Sequence, residues 1–233
     1  MIDFHTHILP GMDDGAADVR MSLEMLRSSA RQGVDVVCAT SHFYAYEESP
    51  DEFLERRSEA FAELMNAVSE SGDHLPRILP GAEVLYFPGI SQSDEISKLV
   101  IENTHCLLIE PTMTKWSETM LDEIEETGIR NRCIPIVAHI DRYMRVLDDN
   151  SLVERVSGRR LVVQVNASFF ARPDTSKLAV RLMNEGKIHL LGSDCHNMDD
   201  RRPNIKSAAK AADGLGMLKQ FAEFNKKAYI MLG

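Results

Sequence analysis

The stretch MIDFHTHILPGMDDG opens the chain with two histidines two residues apart, then an acidic pair and a glycine. In a strand, residues i and i+2 point to one face, so His5 and His7 can reach a single cation while Thr6 points away. More His, Asp and Glu residues close short apolar runs further along. They are His42 (just past Thr40 and Ser41), Glu83, Glu110, His139, and Asp194 with His196, which repeat the i, i+2 spacing. Asn166 closes another run, and Asp13 and Asp14 lie on the loop after the first. Five of the eight histidines fall in this set. His74, His105 and His189 do not, since they lie in a loop or at the starts of runs. A carboxylate at the end of LLIE is costly to bury unless it is paired or bound to a cation. Several carboxylates around one opening would also repel each other without cations. The pattern therefore reads as a metal site, and imidazole with carboxylate suits manganese, iron and zinc alike. Asp13 and Gly15 are expected to shape the loop.

The elements that must bring these residues together alternate along the chain. Short, nearly all-apolar runs occupy residues 1–4, 34–40, 77–84, 105–110, 133–140, 161–166 and 188–194. Helical periodicity fills the gaps, most clearly over 17–33, 51–72, 118–128 and 175–186, and each of these segments closes at or beside a glycine. Seven strands alternating with helices imply parallel strands joined by crossovers and covered on both faces. No GxGxxG follows the first run, which disfavours a dinucleotide-binding open sheet. A closed βα barrel puts its active site at the C-terminal ends of its strands. That is where the polar residues fall. No linker or low-complexity tract divides the chain, so one α/β domain over 1–233 is expected.

Bulk properties narrow the partners. The formal charge of −10 argues against sequence-independent binding to nucleic acid or anionic lipid. Cys38, Cys106, Cys133 and Cys195 have no CxxC spacing and read as reduced thiols of a cytoplasmic protein. No apolar stretch approaches the roughly 18–20 residues of a membrane span. No basic segment leads into an apolar core at the N-terminus, so neither direct membrane insertion nor a cleaved leader is expected.

HTH near the start, SH, GAE, IE, AHI and SDCH, in this order, resemble the PHP (polymerase and histidinol phosphatase) metal-dependent phosphoesterases. DFHTHILPGMDDGA, RQGV, ATSH, GAEVLY, LLIE, PIVAHIDRY, QVN and GSDCHN followed by Arg201 are most similar to the bacterial PHP-type protein tyrosine phosphatases of the CpsB/CapC kind. The likeness runs from residue 1 to about residue 205. It implies a distorted (β/α)7 TIM-like barrel holding three divalent metal ions, manganese foremost, with iron or zinc as alternatives. Carried over by motif, His5, His7, Glu83 and Asp194 would bind one ion. Glu83, Glu110 and His139 would bind a second, and Asp14, His42 and His196 the third. Arg142 and Arg201 match the phosphate-holding arginines. The implied partner is a phosphotyrosine protein, specifically a tyrosine autokinase of capsular or exopolysaccharide synthesis. The resemblance leaves a homo-oligomer open. Two features depart from the subgroup. The loop after His42 reads FYAYEESP, aromatic and acidic rather than basic, and the chain is shorter towards its C-terminus.

The chemistry closes on these residues. Three divalent ions with two arginines outweigh four carboxylates, so a chain of negative net charge can hold an anion-attracting pocket. Metal-activated hydroxide would attack phosphorus in line. Asp199 is the candidate acid for the leaving group. Cys195 to Arg201 fits the C-x5-R spacing of cysteine-dependent phosphatases, but that loop holds two aspartates and no glycine, and alternation points Cys195 away from Asp194 and His196. Three other readings remain. One is a PHP phosphatase for a small ester such as histidinol phosphate. Another is an amidohydrolase, disfavoured because Glu110 stands where a modified lysine would. The last is a metal-loaded binding module without turnover.

Overall fold

The computed structural model describes residues 1–232 and contains nine strands, all parallel. They are β1 (Ile2–Thr6), β2 (Val36–Ala39), β3 (His42–Phe43), β4 (Arg77–Pro80), β5 (Glu83–Leu85), β6 (Cys106–Glu110), β7 (Ile134–Val137), β8 (Val162–Asn166) and β9 (Leu190–Gly192). The seven apolar runs give nine strands because the run at 77–84 splits into β4 and β5, and β3 forms after a break just past the run at 34–40. β2 pairs with β4 and, past the break, β3 pairs with β5. The ladders therefore read β1-β2-β4 and β3-β5-β6-β7-β8-β9. At the break, a Cβ on Gly81 would lie 2.8 Å from the Ile101 side chain, so this close approach admits only glycine.

The ring closes where β9 meets β1. Asp194 N–H donates to His5 O at 2.9 Å, and His7 N–H donates to Cys195 O at 2.9 Å. The expected seven-unit barrel forms, distorted by the two breaks.

Helices cover the outside: α1 (Val19–Arg31), α2 (Pro50–Ser71), α3 (Glu118–Asn131), α4 (Ile140–Val146), α5 (Leu152–Ser157), α6 (Ala167–Ala171), α7 (Ser176–Asn184), α8 (Ile205–Gly214) and α9 (Leu218–Ile230). Asp18 caps α1 by accepting from Met21 N–H. Ser49 and Glu52 form a reciprocal capping box on α2, which ends at left-handed Gly72. Two 3-10 turns, Ile90–Gln92 and Asp94–Leu99, stand between β5 and β6 in place of a regular helix. None of these helices is long and apolar enough to cross a membrane.

One expectation is corrected. The third helix does not stop at Gly128 but runs on to Asn131, and Arg132 ends it with φ 54°. Gly128 serves close packing instead, because a Cβ there would lie 2.6 Å from the Pro135 ring of β7.

The core has two parts. Val37, Ile109, Val137 and Val163 pack towards Leu26, Leu64 and Ile124 of the helices. Ile2, Phe4, Cys38, Leu108 and Ile136 form a second cluster, joined by Ala228 and Leu232 at the C-terminal end of the chain. Burial of this kind contributes about 25 cal/mol per Å² of apolar surface. It holds every strand end at one rim, which makes the rim a rigid platform.

Gly128→Ala tests the helix–strand contact. Alanine improves helix propensity by about 1 kcal/mol, but overpacking costs about 1–3 kcal/mol. Urea denaturation is expected to show a net loss of stability, and a net gain would contradict the close approach.

Candidate metal centre

Glu83, at the start of β5, is 1% exposed and meets four imidazoles. Its Oε2 lies 3.1 Å from His5 Nε2, 3.3 Å from His7 Nε2 and 3.1 Å from His42 Nδ1. Its Oε1 lies 2.9 Å from His139 Nε2. The four rings come from β1 and the residue after it, from β3, and from the turn between β7 and α4. His5 Nε2 and His7 Nε2 are 3.1 Å apart, as the i, i+2 alternation predicts.

The other nominated residues gather around this centre. Glu110 Oε1 lies 3.5 Å from His139 Nε2, and Asp194 Oδ1 lies 3.7 Å from both His5 and His7. Asp14 Oδ1 lies 3.5 Å from His42 Nε2 and 3.3 Å from His196 Nε2. Three groups bring ligand atoms within 4.8 Å of one another: His7, Asp14, His42 and His196; His5, His7 and Glu83; and His42, Glu83 and Glu110. The resemblance pairs His42 with Asp14 and His196 alone. In the structure its ring stands between that group and the two glutamates, with one nitrogen facing each.

Two of these residues sit in the left-handed region without being glycine: His139 at φ 28° and Asp194 at φ 54°. Such backbone costs about 1–3 kcal/mol and persists only where its surroundings hold it. His139 N–H donates to Gln164 Oε1 at 2.6 Å, and Asp194 N–H makes the barrel-closing bond to His5 O.

Several supports escaped sequence reading. Asp13 does more than shape its loop, since its Oδ2 pairs with His7 Nδ1 at 2.8 Å and accepts His42 N–H at 2.9 Å. Its Oδ1 accepts Gly15 N–H, the loop-shaping role that was expected. Gln164 is fully buried, with Oε1 3.4 Å from His5 Nδ1, and its Nε2 donates to Asn166 Oδ1. Asn166 Nδ2 donates in turn to Asp194 Oδ2 at 3.2 Å. Asp3 Oδ1 accepts Ser193 N–H at 2.8 Å, bracing β9 against β1. Asn166 closes its run in the sequence; the signal for Gln164 was available in VVQVN, where it shares a face of an apolar strand with Asn166 two positions on.

The electrostatics show a cluster under strain. Burial drives the Glu83 carboxyl up, but His5, His139 and His42 outweigh it and hold it well below the usual range. Burial and then the Glu83 charge lift Glu110 to about 7. Burial alone would lower His7, but its bonds to Asp13 and Glu83 raise it to about 10. Burial and the neighbouring His7 press His196 down to about 4. These positive and negative groups hold each other in place at the barrel mouth.

A cation fits the donors. Glu83 Oε2, His42 Nδ1 and His196 Nε2 are buried atoms without a hydrogen-bond partner, and all three point into the groups named above. Buried polar atoms are normally paired, so three orphans converging on one rim form a donor set suited to a cation.

Two guanidinium groups flank the centre. Arg142 Nη2 donates to Asp194 Oδ2 at 2.9 Å, and its Nη1 donates to Glu110 Oε1 at 3.3 Å. Arg201 Nη2 donates to Asp194 Oδ1 at 2.8 Å. Both are part-exposed, with N–H groups left for an anion. Asp199 is exposed; its backbone N–H donates to Asn197 Oδ1, and its side chain makes no ion pair or hydrogen bond with the cluster. Cys195 is fully buried, and burial and then Asp3 drive its thiol well above the usual range. It is no thiolate nucleophile.

Known proteins resemble this chain along most of its length. The family described as "Capsular polysaccharide synthesis, CpsB/CapC" matches residues 1–218. A tyrosine-protein phosphatase CpsB of Streptococcus agalactiae is 29% identical over 223 residues, covering 90% of this chain and 88% of the relative. A tyrosine-protein phosphatase YwqE of Bacillus subtilis is 29% identical over 217 residues, covering 89% and 82%. A solved structure described as one of YwqE from Bacillus subtilis and CpsB from Streptococcus pneumoniae, "unique metal-dependent tyrosine phosphatases", superimposes with a TM-score of 0.86 at 25% identity. It covers 100% of this chain and 94% of the other.

Asp13→Asn keeps the shape of the support but removes its charge from His7. Metal affinity, measured by chelator competition, is expected to fall about 10–100-fold. Affinity is also expected to fall as pH drops, first below about 10 where His7 takes a proton and again below about 7 where Glu110 does, since a cation must displace both protons. Unchanged affinity in the variant would contradict the orienting role of Asp13.

Proposed function

The chain belongs to the CpsB/CapC family, and from that premise we propose that it is a metal-dependent protein tyrosine phosphatase. The supporting observation is Glu83, a buried carboxylate ringed by imidazoles, flanked by a second buried glutamate and two part-exposed arginines. The family context of capsule synthesis makes a phosphorylated tyrosine kinase of that pathway the proposed substrate, met in the cytoplasm.

In this reading the rim would take three divalent ions, manganese foremost. His5, His7, Glu83 and Asp194 would hold one, Glu83, Glu110 and His139 a second, and Asp14, His42 and His196 the third. Bound divalent cations would supply Lewis acidity and a source of hydroxide near neutral pH.

The chain's own residues do the rest. Asp13 fixes which nitrogen of His7 faces inward, and Gln164 holds His5 and the strained His139 turn. Arg142 and Arg201 turn their free N–H groups to the non-bridging phosphate oxygens, where charge grows in the transition state. Asp194, gripped by both guanidinium groups, keeps them aimed at the rim. A tyrosine leaving group has a pKa of about 10 and is a far better leaving group than an alkoxide. Its departure therefore needs little help from a general acid. Asp199 stays the one residue nominated for that role.

Two measurements test the proposal. Purified protein supplied with Mn²⁺ is expected to release phosphate from a phosphotyrosine peptide faster than from histidinol phosphate, and EDTA should abolish the release. Preference for histidinol phosphate would favour the small-ester reading, and metal binding without turnover would favour a binding module. Arg142→Ala is expected to cut kcat/KM about 10²–10³-fold, as loss of a preorganised charge donor does. Cys195→Ser should leave it nearly intact. A dead Cys195→Ser variant with its metal retained would overturn the mechanism.

A further inference from the structure

The loop between β3 and α2 carries two tyrosines that no step above uses. Tyr44 stacks on His42, with ring centroids 5.3 Å apart and planes 18° apart. Tyr46 stacks on Tyr44 at 5.6 Å and 24°. Three rings thus run in series outward from the metal-facing imidazole. Tyr44 is half-buried, while the Tyr46 side chain is 75% exposed.

The loop is built to stay in place. Tyr44 O accepts N–H bonds from Glu47 at 2.9 Å and Glu48 at 3.3 Å. Glu48 is held by Arg56 through two hydrogen bonds, at 2.6 and 3.0 Å, and Arg56 also reaches Met12 O on the loop after β1. The capping box at Ser49 then starts α2. An exposed aromatic face on a loop tied down in this way is a preorganised surface. The loop offers no cation, since its charged residues are Glu47 and Glu48. What it can offer a phosphate ester is ring faces.

We infer that Tyr44 and Tyr46 form an aryl subsite that selects aromatic over aliphatic phosphate monoesters, by stacking with the leaving group while the phosphate sits at the rim. The inference rests on the phosphatase reading above and adds the residues that make it a tyrosine phosphatase. Stacked rings prefer offset arrangements with centroids about 4.5–7 Å apart, the range in which the existing pairs lie.

The test compares metal-loaded wild type with Tyr44→Leu, Tyr46→Leu and Tyr46→Phe, with metal content measured in each. The readout is the kcat/KM ratio for phenyl phosphate over β-glycerophosphate. Each leucine variant is expected to lower that ratio about three- to tenfold, mainly through KM, and Tyr46→Phe to preserve it. A ratio within about twofold of wild type in Tyr46→Leu would overturn the inference; this exposed position keeps the fold intact. Competition between phenylphosphonate and methylphosphonate asks the same question without turnover. Wild type binding both equally overturns the subsite. Wild type that prefers phenylphosphonate, loses that preference in Tyr46→Leu and yet hydrolyses nothing supports the subsite and overturns the phosphatase reading alone.

Discussion

Glu83 has both carboxylate oxygens within 3.3 Å of imidazole nitrogens and almost no contact with water. A carboxylate in that position is tolerable only if positive charge surrounds it. Much of the unusual backbone follows from that demand. The strand runs break between β2 and β3 and between β4 and β5, so that His42 and Glu83 turn inward side by side. His139 and Asp194 accept left-handed backbone to aim at the same spot. Asp13 and Gln164 hold rings that would otherwise be free to swing. A barrel with a purely apolar mouth would need none of these features.

The barrel and its polar rim were legible from residue type and order. Short apolar runs ending in His, Asp or Glu meet only if the strands are parallel and closed, and the nine nominated His and carboxylate residues do converge. The alternation in His5-Thr6-His7 translated directly into two ring nitrogens 3.1 Å apart. Other features depend on contacts that sequence does not carry. Asp13 and Asp14 are adjacent and alike, yet one pairs with His7 and the other faces His42 and His196; a turn geometry decides between them. Gly128 looks like a helix end, but its neighbour Pro135 belongs to another element. The two nitrogens of the His42 ring, one towards Glu83 and one towards Asp14, depend on the strand break for their aim.

The loop after β3 gains meaning from the same geometry. Its aromatic and acidic composition departs from a basic phosphate-gripping segment. With positive charge drawn from bound cations and from Arg142 and Arg201, it has no need to be basic. Its tyrosines continue outward from His42, where the organic part of an ester would leave the rim. The overall charge of −10 fits the same division, since on this reading attraction for phosphate would be confined to the one opening where the cations bind.

The central claim is that one buried carboxylate is shared between neighbouring cations. Glu83→Gln keeps its volume and removes its charge. The direct measurement is the metal content of wild type and Glu83→Gln, both loaded with Mn²⁺ and desalted, with phosphotyrosine hydrolysis recorded on the same samples. The variant is expected to lose cations from more than one cluster at once and to lose hydrolysis with them. A variant that keeps the wild-type complement of metal and its activity would contradict the account.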